Sequence, residues 1–331
     1  MNTSVSRRRA SAVVVAAAFL VGVVLPACSY GGHADAGSTN PPPAADAAAP
    51  RPKSPESIEA ELAERFKALS EKSGGQVGVA VIHVETGRSV AFNGASPLPL
   101  FSVFKLPLAV AVLKDVEEGK LKLDQKIRVA PEEVAPGAKA NTELWSKPVE
   151  MTVTELLGLS VSRSDNTSSD KLLELVGGPS AVTERMRALG LRKIDIRASV
   201  REFAAGRKEH PNTGAAEDLA RLLVLLQKGE ALREPQLSVL MGAMERATTG
   251  LKRLRGDLPP GTPVADKTGT GDAGKVTNDV GLITLPGGRG RLAMAVLVNG
   301  SKLSAEAQEK LIAELARAAY DAHTAGAVRT P

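Results

Sequence analysis

Apolar residues along this chain follow two rhythms, one of about 3.6 residues and one of two, and the places where they switch mark the elements. Ser54-Pro55 offers an N-cap with proline at the first helical position. Behind it Ile58, Leu62, Phe66 and Leu69 recur at helical spacing, predicting a helix with one apolar face. Val77, Val79 and Val81 then alternate on a strand, and Glu85-Thr86-Gly87-Arg88 turns into a second strand around Val90 and Phe92. From Leu100 to Lys228 the pattern is mostly helical: an apolar helix from Leu106 to Glu118, then Val153 to Leu159, Thr167 to Val176, Ser180 to Leu189 and Ala215 to Gln227. Two late strands, Val280 to Leu285 and Leu292 to Val298, are joined by Pro286-Gly287-Gly288-Arg289, and an amphipathic helix from Ser304 to Tyr320 follows. This order predicts a mixed α/β chain of the α+β kind. Early and late strands pair in one antiparallel sheet flanked by the terminal helices, and an all-helical lobe is inserted between them. The expected division is a sheet lobe of residues 54–98 and 250–323 and a helical lobe of residues 99–249 within a domain of residues 54–325.

The N-terminal stretch breaks both rhythms. Arg7-Arg8-Arg9 precedes an apolar run from Ala10 to Leu25, the layout of a secretory signal over residues 1–27. The run ends in Leu25-Pro26-Ala27-Cys28, similar to the lipobox of bacterial lipoproteins, in which cleavage precedes the cysteine and the thiol carries diacylglycerol. Ordinary cleavage nearby, with Cys28 incidental, is the alternative. The following segment to Lys53, with Pro41-Pro42-Pro43 and much Ala, Gly and Ser, buries too little to offset its ordering entropy and reads as a tether.

Composition narrows the classes. With 331 residues there is length for a large core, and at 3% aromatic that core must be built of Leu, Val and Ala. A net charge of +5 with both signs interleaved is no nucleic-acid footprint. Cys28 is the only cysteine, so no disulfide or thiolate metal site is expected in the domain, and His33, His83, His210 and His323 are scattered as surface or loop residues. No metal or other cofactor is implied. A monomer is expected because no apolar helix is left unpartnered.

Three short motifs carry chemistry. Ser102-Val103-Phe104-Lys105 fits S-x-x-K at the start of the apolar helix, where residues three apart share a face and the amine can lie beside the hydroxyl. A serine needs such a base, and a desolvated lysine can be one. Ser164-Asp165-Asn166 lies at a helix start, and Lys267-Thr268-Gly269 on an edge strand after Val264-Ala265-Asp266, with Gly269 permitting close approach of a ligand to the backbone. Each alone has an ordinary structural explanation, an N-cap or a protective edge lysine. Together and in this order they resemble the S-x-x-K, S-D-N and K-T-G set of class A β-lactamases and penicillin-binding proteins. The resemblance spans about Ser54 to His323 and extends to Met151-Thr152-Val153-Thr154-Glu155-Leu156-Leu157 and Thr277-Asn278-Asp279-Val280-Gly281.

What the resemblance implies is a serine hydrolase acting on a small-molecule β-lactam. Ser102 attacks the lactam carbonyl, Lys105 takes part in its activation and Ser164 relays the proton to the lactam nitrogen. Asn166 and Lys105 orient the substrate, Lys267 and Thr268 receive its carboxylate beside Gly269, and the backbone N–H groups of Ser102 and Thr270 form an oxyanion hole. Arg253 matches a carboxylate-binding arginine of some members. The family's deacylating glutamate has no unambiguous counterpart in Ile196-Arg197-Ala198-Ser199-Val200-Arg201-Glu202-Phe203. Aligning on Phe203 puts Val200 at the catalytic position; sliding the frame by two puts Glu202 there. Glu209 is a further candidate, and Gly206 stands where many members have a water-holding asparagine. With Glu202 as base the protein is a β-lactamase with turnover. With Val200 it is an acylated but slowly deacylating β-lactam-binding protein, and a D-alanyl-D-alanine peptidase is the third reading. Gly269-Thr270-Gly271-Asp272-Ala273-Gly274-Lys275-Val276 imitates a phosphate loop but lacks the hydroxyl residue after the lysine.

Overall fold

The computed structural model describes residues 54–137, 143–206, 211–271 and 274–325. Cys28, the export signal, the tether, Glu209, His33 and His210 lie outside them.

The chain opens with α1 (Pro55–Glu71), β1 (Gln76–His83), β2 (Ser89–Phe92), β3 (Leu98–Pro99) and α2 (Lys105–Glu117), the last entered through a 3₁₀ turn over Phe101–Phe104. Next come β4 (Lys126–Val129), β5 (Val149–Thr152), α3 (Val153–Ser162), α4 (Asn166–Leu175), α5 (Pro179–Ala188), α6 (Val200–Ala204), β6 (Thr213–Gly214), α7 (Ala216–Gln227) and α8 (Gln236–Glu245). The chain closes with β7 (Val264–Gly271), β8 (Val276–Thr284), β9 (Arg291–Asn299) and α9 (Ala305–Thr324). Ser54 caps α1 by accepting from the Ser57 N–H, and Thr152 with Glu155 forms a reciprocal capping box on α3.

Five strands form an antiparallel sheet in the order β2-β1-β9-β8-β7, so early and late strands do meet, β1 against β9 with Val79 opposite Val296. Strand β9 carries the core on both faces. Leu292, Met294, Val296 and Val298 join Phe66 of α1 and Leu315 of α9 in one cluster, while Ala293, Ala295 and Leu297 join the helical lobe. That alternation is what a strand covered on both sides requires. At the centre of the lobe runs α2, with Leu106 to Leu113 all buried, and α7 packs on β1 and β9 opposite α1 and α9.

Several elements differ from the sequence expectation. Neither α6, α8 nor the β4–β5 pair was foreseen: α6 is too short for a period, and β4 and β5 pair across a connection of nearly twenty residues. Helix α9 runs on to Thr324, whose hydroxyl donates to the Tyr320 carbonyl at 2.9 Å. His83 and His323 are not loop residues, since their rings stack at 5.5 Å between β1 and α9 and burial pushes the His323 pKa down. Trp145 is 2% exposed, a core residue whose indole N–H donates to Asp165. The phosphate-loop imitation is a hairpin, with Gly271 in β7 paired to Val276 in β8.

Candidate active site

Where α2, the start of α4 and the edge strand β7 meet, the three motifs converge. Burial places Lys105 at 0% and Lys267 at 1% exposed, so each ammonium must find oxygens inside the protein. Lys105 Nζ donates to the Ser164 carbonyl at 2.6 Å and the Asn166 Oδ1 at 2.8 Å, with the Asp165 carbonyl at 3.3 Å and Ser164 Oγ at 3.4 Å. Lys267 Nζ donates to Ser164 Oγ at 3.0 Å and to the Thr268 carbonyl at 2.9 Å. Ser164 thus stands between two lysines, and it does so from a left-handed backbone, φ 58°. Such a conformation in a non-glycine residue costs on the order of 1–3 kcal/mol and is retained where surrounding contacts impose it. Asp165 supplies one of these contacts as N-cap of α4, accepting from the Ser168 N–H at 2.7 Å.

Electrostatics follow from that burial. Desolvation drives the Lys105 pKa well below its ordinary value, helped by the neighbouring Lys267 charge and opposed by Asp165 and Asp170. Desolvation likewise lowers Lys267 to about 8, Arg253 adding to the effect and Asp266 and Asp279 opposing it. Behind β7, burial and the adjacent Asp266 hold the Asp279 pKa well above its ordinary value, with the Leu254 N–H, Arg253 and Lys267 opposing them. A lysine whose pKa burial lowers gives up its proton, and so becomes able to accept one, more readily than a surface lysine.

Ser102 lies in the 3₁₀ turn ahead of α2 and borders a cavity of about 140 Å³ shared with Asn166, Thr270, Phe101, Val200 and Phe203. Gly269 packs β7 against this turn: a Cβ there would collide with the Leu100 carbonyl oxygen. The close approach foreseen for Gly269 is therefore made by the chain's own backbone. Thr268 shares a 2.7 Å hydroxyl hydrogen bond with Thr249. Arg253 is 7% exposed, and all three of its guanidinium nitrogens bond to the protein: Nη1 to the Gly269 and Asn278 carbonyls, Nη2 to Thr270 Oγ1 at 2.6 Å, and Nε to Glu309. Its Nη2 thereby reaches the hydroxyl of Thr270, a residue that borders the Ser102 cavity.

The loop from 195 to 212 decides which residue faces Ser102. Asp170 accepts the N–H groups of Val200 at 2.8 Å and Arg201 at 3.0 Å, fixing the start of α6. Ser199 and Glu202 cap the same helix reciprocally, with the Ser199 N–H donating to Glu202 Oε2 at 2.9 Å. Asn212 accepts from the N–H groups of Arg197 and Ala198, and its own carbonyl receives the Leu100 N–H, tying the loop to the Ser102 turn. In this arrangement Val200 borders the Ser102 cavity, and the Glu202 side chain borders a separate one with Asp170 and Arg201. Sequence reasoning missed Phe101, Asp170 and Asn212. Asp170, one helical turn after Asn166, was the readable signal among them.

A family model described as the β-lactamase enzyme family matches residues 61–323. The chain is 37% identical over 270 residues to the extended-spectrum β-lactamase PER-1 of Pseudomonas aeruginosa, covering 78% of this chain and 86% of that protein. It is 31% identical to β-lactamase VEB-1 of the same organism, over 74% of this chain and 85% of that one. The crystal structure of a β-lactamase from Chitinophaga pinensis superposes with a TM-score of 0.76 at 35% identity, covering 79% of this chain and 99% of that one.

Proposed function

Because the chain belongs to the class A β-lactamases, we propose that it hydrolyses the β-lactam amide through an acyl-enzyme on Ser102. The observation that carries this reading is the pair of buried lysines converging on Ser164 beside the Ser102 turn. In acylation the Ser102 oxygen forms a bond to the lactam carbonyl carbon and the carbon–nitrogen bond breaks. The Ser102 proton passes to the Lys105 amine, whose proton affinity burial lowers; Ser164 gives its proton to the departing nitrogen and is reprotonated from Lys105. Asn166 holds the substrate amide, and Lys267 with Thr268 receives its carboxylate. The N–H groups of Ser102 and Thr270 stabilise the oxyanion, the contribution that is usually largest. Arg253 is a positioning residue acting through Thr270.

Deacylation asks for a second base, acting on water. Among the described residues that border the Ser102 cavity there is no carboxylate, and Val200 is there. The relatives named above are β-lactamases and do not favour a peptidase or a mere binding protein, so Val200 bears on the rate and not on the reaction. Removal of the acyl group is then the slow step, and the acyl-enzyme accumulates. General-base catalysis is worth about 10²–10⁴-fold, which sets the scale of the deficit. Mixing the purified protein with a chromogenic cephalosporin and following both product and intact mass tests this. A burst and an adduct, both lost in Ser102→Ala, support the reading, and Val200→Glu should then raise steady turnover at least tenfold. Steady turnover without accumulation, lost in Glu202→Gln, would make Glu202 the base instead. Neither adduct nor turnover would sink the hydrolase reading.

Residues 1–27 we read as an export signal, Cys28 as the lipidated residue, 28–53 as a tether and 54–325 as the catalytic domain, a monomer held at the cell envelope. The domain reading is supported by the family match and by the absence, among the described residues, of a helix long and apolar enough to cross a membrane. Labelled fatty acid should enter the protein and be lost in Cys28→Ser; lack of incorporation would remove the anchor.

A further inference from the structure

Where β1 ends, two imidazole rings lie face to face. His83 closes β1 and His323 stands in the last turn of α9, with ring centroids 5.5 Å apart and planes 5° from parallel. Hydrogen bonds fix which nitrogens carry hydrogen. His83 Nε2 lies 2.7 Å from the Arg289 carbonyl, which can only accept, so Nε2 carries the hydrogen. The Thr86 N–H, which can only donate, points at His83 Nδ1 from 3.3 Å, with the Thr86 hydroxyl at 2.9 Å. A further proton on His83 would have to displace that N–H. His323 Nδ1 donates to the Ala319 carbonyl at 2.8 Å, and among the described residues its Nε2 has no hydrogen-bond partner. Nε2 of His323 is thus the one nitrogen of the pair open to a proton. Together the rings join three segments: the β1–β2 turn through Thr86, the β8–β9 turn through Arg289, and the end of α9. Arg289 adds a second tie, its Nη1 donating to the Thr324 carbonyl at 2.8 Å.

We propose that the His83–His323 stack is an acid-operated latch: while His323 is neutral it clasps the last turn of α9 to the two strand turns, and protonation of His323 lets that turn go. The charges around the pair weigh against a proton there. Arg88 of the β1–β2 turn and Arg289 of the β8–β9 turn are cations on the segments that the rings join. Glu59 of α1 and Glu85 of the β1–β2 turn oppose them, yet both are engaged, Glu59 with Arg88 at 2.6 Å and Glu85 with the Arg291 N–H at 2.9 Å. Glu85 also stands 3.7 Å from His83 Nε2, and on α9 Asp321 pairs with Arg317 at 2.8 Å. A helix C-terminus ordinarily favours a protonated histidine, and the Ala319 carbonyl acts in that sense. Burial is the larger effect and pushes the His323 pKa down, with His83 and Arg88 adding to it and Glu59 opposing. A histidine depressed in this way stabilises the fold above its unfolded value of about 6.5. That contribution is lost as pH falls from there through the folded value. The release is local, because Tyr320, a turn earlier, is buried in the cluster that α1 and α9 share and keeps the rest of the helix seated.

Two measurements on the full-length protein test the latch. Amide hydrogen exchange, corrected for its intrinsic pH dependence, reads local opening directly. Between about pH 7.5 and about pH 5.5, on either side of the ordinary histidine value, the end of α9 should lose protection several-fold, up to about tenfold per pH unit. Peptides from α2 should keep theirs. The second measurement is the Tm over the same range, for the wild type and for His323→Phe, which keeps a flat ring against His83 and cannot take a proton. Each pH unit over which only the unfolded chain holds the proton is about a tenfold loss in the folding equilibrium, roughly 3 °C of Tm in a domain of this size. The wild type should therefore lose more Tm on acidification than His323→Phe, by an amount of that order. Equal losses in the two proteins, or protection at the end of α9 that does not change with pH, would overturn the latch. Exchange on the wild type decides the question by itself if the variant does not fold.

Discussion

Lys267 loses its charge in the range around pH 8. Burial lowers its pKa to about 8, so the ammonium predominates well below that value, is half gone near it and is lost as pH rises through it. A substrate carboxylate bound by that ammonium loses its partner in the same range. We expect kcat/KM to fall above about pH 8, with the inflection reporting the free enzyme. In Lys267→Arg the guanidinium stays charged, and the decline should move to higher pH even if the absolute rate drops. A pH–rate profile of the two proteins checks this; an unmoved inflection would assign it to another group. At this scale much was legible. Serine, lysine, asparagine and lysine in three spaced motifs reported which side chains carry chemistry, because each motif needs particular atoms. Their pKa values were not legible, since they depend on the burial of Lys105 and Lys267 and on carboxyls such as Asp170 and Asp279 that arrive from other elements.

Strand β7 and the 3₁₀ turn before α2 are two elements that must touch for the site to exist. Gly269 lets them, because the Leu100 carbonyl occupies the space a side chain would need. Gly269→Ala should push the turn away from β7 by a fraction of an ångström to an ångström. Displacement of that order costs about a hundredfold in rate, and we expect a loss of that size in kcat/KM with the far-ultraviolet circular dichroism retained. An active, folded Gly269→Ala protein would show that the contact is adjustable. The long elements were readable because α1, α2, α7 and α9 each run through several turns of consistent period. Helix α6 was not, having five residues, too few for a period to show; its existence rests on Asp170 and on the Ser199–Glu202 box. That short helix is nonetheless what directs Val200 toward the cavity and the Glu202 carboxylate back to the Ser199 N–H.

Among the described residues two apolar clusters are separated by one sheet, and helices α1 and α9 complete one of them. Phe66 of α1 is 0% exposed between the sheet and α9. Phe66→Ala should cost about 3–5 kcal/mol and lower the Tm by roughly 10 °C for a domain of this size. Calorimetry checks it, and kcat/KM well below the new Tm should change little because Ser102 lies on the opposite side of the sheet from this cluster. A Tm shift under 2 °C would mean the cluster closes around the gap. Periodicity determined the class of fold, since strands covered on both faces and helices with one apolar stripe have few ways to bury what they expose. Motif spacing determined which residues carry polar chemistry. Tertiary structure alone decided that Val200 and not Glu202 borders the Ser102 cavity, that Arg253 reaches the Thr270 hydroxyl, and that Phe101 meets Phe203. The reason is physical. Local periodicity is imposed by the chain's own backbone, whereas the direction of a loop side chain is set by partners such as Asp170 and Asn212, which stand 30 and 12 positions from Val200 along the chain.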